Sequence, residues 1–578
     1  MSDNKENYTF VVWADNIGGL SSEVEALSFE GKPKALTPPP SLSGEFVIVH
    51  DNLQSADWLG QIVEPQRNVP LQGLTRDNPS NIAAMERVLQ GTVEVSVFLR
   101  QVYYYRIRLL GEINKETNRL QSVRRRPRAG SLGRPAETIE VVKYMDLPQF
   151  TENYSKTWKN NVIGKISATQ IPIPIGSETI FYHTLVAGAT GSGKSNTVAN
   201  IIKAAQTLGI NVIVLDHKPD YKDIDSPNDE KGLFVKFSQM GFTPTNLSSV
   251  KFFILAGSPF ERKKKDETPI AVSASSVSTY MLATTLFYRA NEELQAEVFG
   301  RLFEVFADEN KGKIWTINDF MTWFNNQKNA KDTKTGKSKL AEHFYNEEPN
   351  QKVIETAYKI TRRKPAWMDA LGSATQSGLP QAIPTRNQNQ QKNYFNAEKH
   401  LKGKGEILSV RINAEGREYG LFLSYLLKEV YSLRIGNKIN PTLIVIDEAQ
   451  DIFNGSRTVR STAEFTINEH LRKGRSKQIG FVFSVQSASE IPESILNNLN
   501  SRIIHRQNTG EDIKSAIPNA PKELVNTTLS FGPGEALVSL FKARSTLHAE
   551  MAPSPFLLTK DLQSSQTTMA DQIEELPF

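Results

Sequence analysis

Hydrophobic positions change period along this chain, and each change predicts a different kind of element. Over residues 8–113 the segments 8–13, 45–50, 93–98 and 101–108 are rich in Val, Ile, Phe and Tyr, and turn-prone residues separate several of them. This pattern predicts strands that close into a small barrel or sandwich. Residues 122–136 are basic and contain Pro and Gly, which suits a linker or mobile loop. From about residue 160 the pattern becomes short apolar strands at 184–187, 211–216 and 251–255, with a helix at 196–205. From about 272 to 370 it turns helical. Apolar residues recur every three or four positions over 278–290 and 294–307, and a further helix begins within 314–324, capped by Asn318 or Thr316. Residues 372–404 are polar and read as a mobile segment. Alternation of strand and helix resumes with strands at 405–412, 443–448, 479–486 and 501–505 and helices at 418–434 and 459–473. The expected result is an α/β fold: a parallel sheet with helices on both faces, interrupted by a helical insertion. There is no internal repeat.

One apolar strand ends in a stretch with its own chemistry: Gly188, Ala189, Thr190, Gly191, Ser192, Gly193, Lys194, Ser195, followed by Asn196 at the start of the predicted helix. It fits G-x-x-x-x-G-K-[ST] between a strand and a helix, the context that this phosphate-binding motif needs. Glycines let backbone N–H groups curl around phosphate oxygens, and the helix amino terminus adds its positive dipole. Lys194 would reach the β- and γ-phosphates of ATP, and Ser195 would hold Mg²⁺. The competing reading is a chance Gly-rich turn. The strand at 443–448 weighs against it, because four apolar β-formers there end in Asp447 and Glu448. A buried parallel strand opens at its carboxyl end, where Asp447 is placed for the Mg²⁺ shell and Glu448 to polarise an attacking water. The adjacent glutamate favours hydrolysis of ATP over binding alone.

At 578 residues the chain is long enough for two to four domains, and its 39% hydrophobic content suffices for globular cores. No apolar run reaches the ~18 residues of a membrane helix, and the first residues lack the apolar stretch of a signal peptide. The absence of cysteine excludes disulfides and thiolate-bound zinc. A soluble cytoplasmic protein is expected. The net charge of +5 is unevenly spread: residues 351–404 hold ten Lys/Arg against three Asp/Glu, and smaller basic clusters lie at 124–128 and 262–265. Clustered positive charge points to a polyanion partner, with solvated loops as the competing reading.

The Gly-rich loop, the Asp-led turn at 216–221, the Asp447–Glu448 strand and Gln486 occur in the order seen in the HerA/FtsK group of RecA-like DNA translocases. The chain resembles HerA most. That resemblance implies a RecA-like P-loop ATPase core with an N-terminal β-barrel domain and a helical-bundle insertion. The domains would be a barrel at 1–121, used for partner docking, and a linker at 122–159. The core would occupy 160–270 and 405–555, the insertion 271–404 and a tail 556–578. It implies a homo-hexameric ring with ATP between protomers, so that each site takes a cation from its neighbour: Arg475 first, Arg472 second, with a helix-terminal structural role as the alternative. Gln486 would sense the γ-phosphate. The chain departs from the family at 216–221, where Asp-His-Lys-Pro-Asp-Tyr replaces Asp-Pro-His-Gly-Glu-Tyr and passes the acidic role to Asp220. It also departs at Tyr182, which replaces a basic residue and would stack on adenine. Double-stranded DNA is the implied polyanion, met in the ring channel by Arg362, Arg363 and Lys364. The implied effector is a separate protein: a NurA-like nuclease, another nuclease or a sirtuin-domain NADase, in DNA end processing or antiphage defence. The alternative is a regulatory scaffold ATPase that switches an effector with little translocation. A conjugation-type coupling ATPase would normally need membrane helices.

Overall fold

The computed structural model describes residues 10–14, 23–29, 44–63, 67–70, 101–145, 161–167, 169, 171–240, 243–255, 267–287, 289, 291–331, 337–344, 350–361, 395–412, 416–453, 457–517, 522–541, 543 and 546–559. The expected strand at 93–98 lies outside them, as do Arg362, Arg363, Lys364 and the basic cluster at 262–265. The chain forms two compact units. Met1–Trp158, Gly164–Pro174 and Leu537–Glu550 make one; Lys159–Ile163, Ile175–Ala536 and Met551–Phe578 make the other.

The first unit carries β1 (Phe10–Ala14), β2 (Glu23–Phe29), β3 (Phe46–Asp51), β4 (Ala56–Ile62), β5 (Arg67–Pro70), β6 (Gln101–Asn114), β7 (Arg119–Gln121) and β8 (Leu132–Pro135). Six of these close on themselves in the order β2-β1-β8-β3-β4-β6 and back to β2, so the expected barrel is present. Alternation sets its interior: Val47 and Val49, Trp58 and Ile62, Tyr105, Ile107 and Leu109 point inward with Phe10 and Val24. Gly133 has a packing reason, since a Cβ there would lie 2.0 Å from the Phe10 ring.

Residues 122–136 are not the expected linker. They contribute β8 to the barrel, and a helix follows at Thr138–Tyr144. Two buried carboxylates tie the basic stretch down. Arg125 binds Glu112 at 2.8 Å, and Arg128 makes a two-pronged contact with Asp51 at 2.7 and 3.0 Å. Asp51 also accepts from Gln54, Ser131 and the Arg128 amide. Arg128 therefore holds its carboxyl far below the ordinary carboxylate range, against the effect of burial. The basic composition that suggested a mobile loop serves local ion pairs instead. Residues 537–550, expected in the core, group with this unit, which also holds most of β9 (Val162–Ile166) and all of β10 (Pro172–Pro174). Lys165 pairs with Glu550 at 3.2 Å, and the Ser167 amide donates to His548 O at 2.9 Å.

The second unit is built on β11 (Thr184–Ala187), β12 (Asn211–Asp216), β13 (Val250–Leu255), β14 (Thr268–Ile270), β15 (Ile407–Arg411), β16 (Thr442–Ile446), β17 (Ile479–Val485) and β18 (Ser501–His505). They lie in the order β18-β11-β17-β16-β12-β15-β13-β14, and every neighbouring pair is parallel. β11, β12, β16 and β17 are buried along their whole length, which explains their unbroken apolar runs. The expected helical segment is present between β14 and β15. Its helices Glu293–Glu309 and Ile317–Asn329 pack through aromatic residues at helical spacing, with Phe303 and Phe320 ring centroids 4.2 Å apart. Thr316, not Asn318, caps the second helix: its hydroxyl accepts from the Asp319 amide, and Asp319 returns the bond to the Thr316 amide.

Candidate functional site

Strand order brings the motif residues together. β11, β17, β16 and β12 are successive neighbours, and in register Ala187 pairs with Val485, Phe483 with Ile446, and Ile446 with Leu215. Gly188, Gln486, Asp447 and Asp216 therefore leave the sheet at the same carboxyl edge. Gly188–Ser195 forms the turn from β11 into the helix Lys194–Thr207. Gly191 and Gly193 have φ of 77° and 110°, a left-handed conformation that aims successive amides into one concavity. The first amides of the helix have no partner within it, so the loop is a ready cradle for phosphate oxygens. The Gly188 amide donates to Val485 O at 3.2 Å and the Ala189 amide to Arg506 O at 2.8 Å, which anchors the loop to β17 and to the residue after β18. From within the helix, Thr197 meets His505 Nε2 at 2.9 Å. Burial pushes that imidazole down to about 4, so it stays neutral.

Lys194 is 9% exposed. Burial pulls its ammonium below the ordinary range, while Glu448 and Asp447 oppose that shift. Asp447 is fully enclosed. Burial, Glu448 and Asp220 push its carboxyl up to about 7. Its Oδ2 has no hydrogen-bond partner. Ser195 Oγ donates to Asp220 Oδ2 at 2.9 Å. An orphaned carboxylate oxygen beside a serine hydroxyl and a second carboxylate is an all-oxygen donor set, which suits a hard divalent cation such as Mg²⁺. Asp216, buried at the end of β12, accepts from the amides of Asp220 and Tyr221 at 3.2 and 3.1 Å and so fixes the turn that carries Lys218 and Asp220. Burial raises its own carboxyl, as do Asp447 and Asp220.

Glu448 has a φ of 46°, uncommon for a residue with a side chain. Its Oε1 is ion-paired with Lys218. Its Oε2 accepts from Gln450 and, at 3.2 Å, from Gln486. Burial pushes this carboxyl up, but Lys194, Lys218 and Gln450 outweigh it and hold it below the ordinary range. Sequence reasoning missed Lys218, Gln450, Asp216 and His505. Lys218 was in view as a departure from the family pattern, and its position two residues before Asp220 was the available signal.

Four of the residues singled out in the sequence lie away from this chain's own loop. Tyr182 precedes β11, at the amino edge of the sheet, so four strand residues, ~13 Å at strand rise, separate it from the loop. A nucleotide sits outside the carboxyl ends of the strands, so Tyr182 does not stack on a base held by its own chain. Its ring instead carries the Arg475 guanidinium, 3.5 Å from the ring centroid. Arg475 and Arg472, both exposed, precede β17 at this same amino edge, away from their own loop. Asn196 turns away from the loop as well, its Oδ1 accepting from the Ser554 amide at 3.3 Å.

A Gly-rich loop and paired carboxylates at the carboxyl edge of these parallel strands define a P-loop nucleotide site on a RecA-like core. Comparison with known proteins narrows the class. Residues 161–383 match the family described as "Helicase HerA, central domain". The chain is similar to the DNA double-strand break repair helicase HerA of Sulfurisphaera tokodaii, at 21% identity over 386 residues, 65% of this chain and 66% of that one. It is similar to that of Saccharolobus solfataricus at 25% over 233 residues, 40% of each. The chain thus spans just under two thirds of the first relative and two fifths of the second. Among solved structures, VirB4 of Thermoanaerobacter pseudethanolicus aligns at 13% identity and TM-score 0.43, over 68% of this chain and 95% of that one. These similarities support a HerA/FtsK-type P-loop ATPase.

Proposed function

We propose that the chain is an ATP-hydrolysing, hexameric double-stranded DNA translocase or helicase of HerA type. We propose further that it acts with a separate effector, a nuclease or a sirtuin-domain NADase, in DNA end processing or antiphage defence. The observation that carries the reading is the convergence of Lys194, Ser195, Asp447 and Glu448 at one edge of the parallel sheet. Lys194 holds the β- and γ-phosphates as a point charge. Ser195 and Asp447, with Asp220 behind the serine, would hold Mg²⁺, which would supply positive charge to the phosphate oxygens. Glu448 orients and polarises water, and Gln486, hydrogen-bonded to it, couples that position to the γ-phosphate. Arg475 serves the site of a neighbouring protomer; its place at the amino edge of the sheet, away from its own loop, supports a role in trans. The relatives' printed name, a DNA repair helicase, supports the choice of DNA as the polyanion.

Lys194→Ala tests the assignment. It removes charge from the phosphates without opening the core, so hydrolysis should fall to background while the fold is kept. Full activity in this variant would remove the site from the reaction. The regulatory-scaffold reading draws on one observation, the engagement of Glu448 by Lys218 and Gln450. Hydrolysis that duplex DNA leaves unchanged would favour it.

A further inference from the structure

Lys218 belongs to the turn after β12, yet its ammonium lies on the carboxylate at the end of the neighbouring strand β16. The contact is asymmetric. The Lys218 side chain is 50% exposed, whereas that of Glu448 is 8% exposed and takes Gln450 and Gln486 on its other oxygen. Both oxygens of Glu448 are thus committed to donors of this chain, and a carboxylate so engaged is a poor acceptor for a water proton. Lys218 also lies within electrostatic range of Lys194, Asp447 and Asp220, the groups that surround the phosphate cradle. Its turn is pinned by Asp216, while its four-carbon stem leaves the ammonium free to swing.

We propose that Lys218 is a positioning residue that holds Glu448 engaged until a nucleoside triphosphate binds, and then exchanges that carboxylate for the terminal phosphate. The inference rests on the ATPase reading above. Lys218 then couples recognition of the third phosphate to release of the group that activates water. Lys218 is the residue that distinguishes ATP from ADP in this scheme, since ADP offers nothing to draw the ammonium away.

The test is binding of a non-hydrolysable ATP analogue and of ADP, with Mg²⁺, to the full chain and to Lys218→Met, Lys218→Arg, Glu448→Gln and the Lys218→Met/Glu448→Gln double variant. Lys218→Met should lower the analogue-to-ADP affinity ratio by about tenfold, the scale of one hydrogen bond to a charged group. Lys218→Arg, which keeps the charge, should restore most of it and shows that the loss is not one of folding. Glu448→Gln should bind the analogue more tightly than wild type, because Lys218 no longer has an ionic partner to leave. That gain should vanish in the double variant. A ratio within twofold of wild type in Lys218→Met, or a gain that persists in the double variant, overturns the proposal. Because binding is read without turnover, these outcomes are separate from a failure of the ATPase reading, which would appear as Lys194→Ala hydrolysing at the wild-type rate.

Discussion

Asp447 and Glu448 are consecutive carboxylates with opposite electrostatics, and their environments set the difference. Burial, Glu448 and Asp220 outweigh Lys194 at Asp447 and push it up to about 7, whereas at Glu448 Lys194, Lys218 and Gln450 outweigh burial and hold it low. The raised value has a consequence for stability. The nucleotide-free fold keeps a proton on Asp447 that the unfolded chain, with an ordinary value of 3.8, has already released. Stability is therefore lost as pH rises from about 4 to about 7. Asp447→Asn should make the metal-free protein more stable than wild type at pH 8, by at most ~4 kcal/mol at about 1.4 kcal/mol per unit. The gain should shrink at pH 5. Denaturant titration without divalent cation checks this, and an equal effect at both pH values would contradict it. At this scale the phosphate loop was legible in the sequence because its eight residues are contiguous. Asp447 and Glu448 were legible because an apolar run ends on them. Lys218 was not, because its partner lies on another strand, 230 positions away in the chain. That Tyr182 lies at the amino edge, away from its own loop, was not legible because sequence order does not say which edge of the sheet a residue occupies.

Elements were legible where apolar periodicity is strong. The buried strands β11, β12, β16 and β17 and the helices Glu293–Glu309 and Arg457–Gly474 fall within a few residues of their expected positions. The barrel's β8 was hidden because Leu132–Pro135 contains Gly and Pro, and because the arginines before it resemble a solvated loop. Their true partners, Asp51 and Glu112, are 77 and 13 positions away. This arrangement predicts that Asp51 is the keystone of the segment. Asp51→Ala should destabilise the barrel by about 2 kcal/mol, the scale of charge-assisted hydrogen bonds lost at a buried carboxylate. The denaturation midpoint followed by Trp58 fluorescence measures it. Trp58 is a suitable reporter because its indole donates to Arg125 O at 3.0 Å, within the same basic stretch. A midpoint unchanged by the substitution would mean that the ion pair is a surface accessory.

In the proposed ring each nucleotide site has two halves: a cradle at the carboxyl edge of one protomer's sheet, and Arg475 at the amino edge of a neighbour's. Arg475→Ala should keep nucleotide binding and lose turnover. Mixed with Lys194→Ala chains it should recover part of the activity, since some mixed interfaces then have both halves intact. Mixtures that stay inactive, with subunit exchange verified, would place the neighbour's cation elsewhere. Among the described residues no helix is long and apolar enough to cross a membrane.

The proposed motor has its chemistry at Glu448 and duplex DNA as its track. The most direct measurement is steady-state ATP hydrolysis by the full chain and by Glu448→Gln, each with and without duplex DNA at moderate salt. Wild type should turn over ATP faster with duplex, and the gain should fade as salt displaces phosphate contacts. Glu448→Gln should bind ATP yet hydrolyse it ~10²–10⁴-fold more slowly under both conditions. A Glu448→Gln chain that hydrolyses ATP at the wild-type rate, or a wild type indifferent to duplex, would contradict the proposed motor.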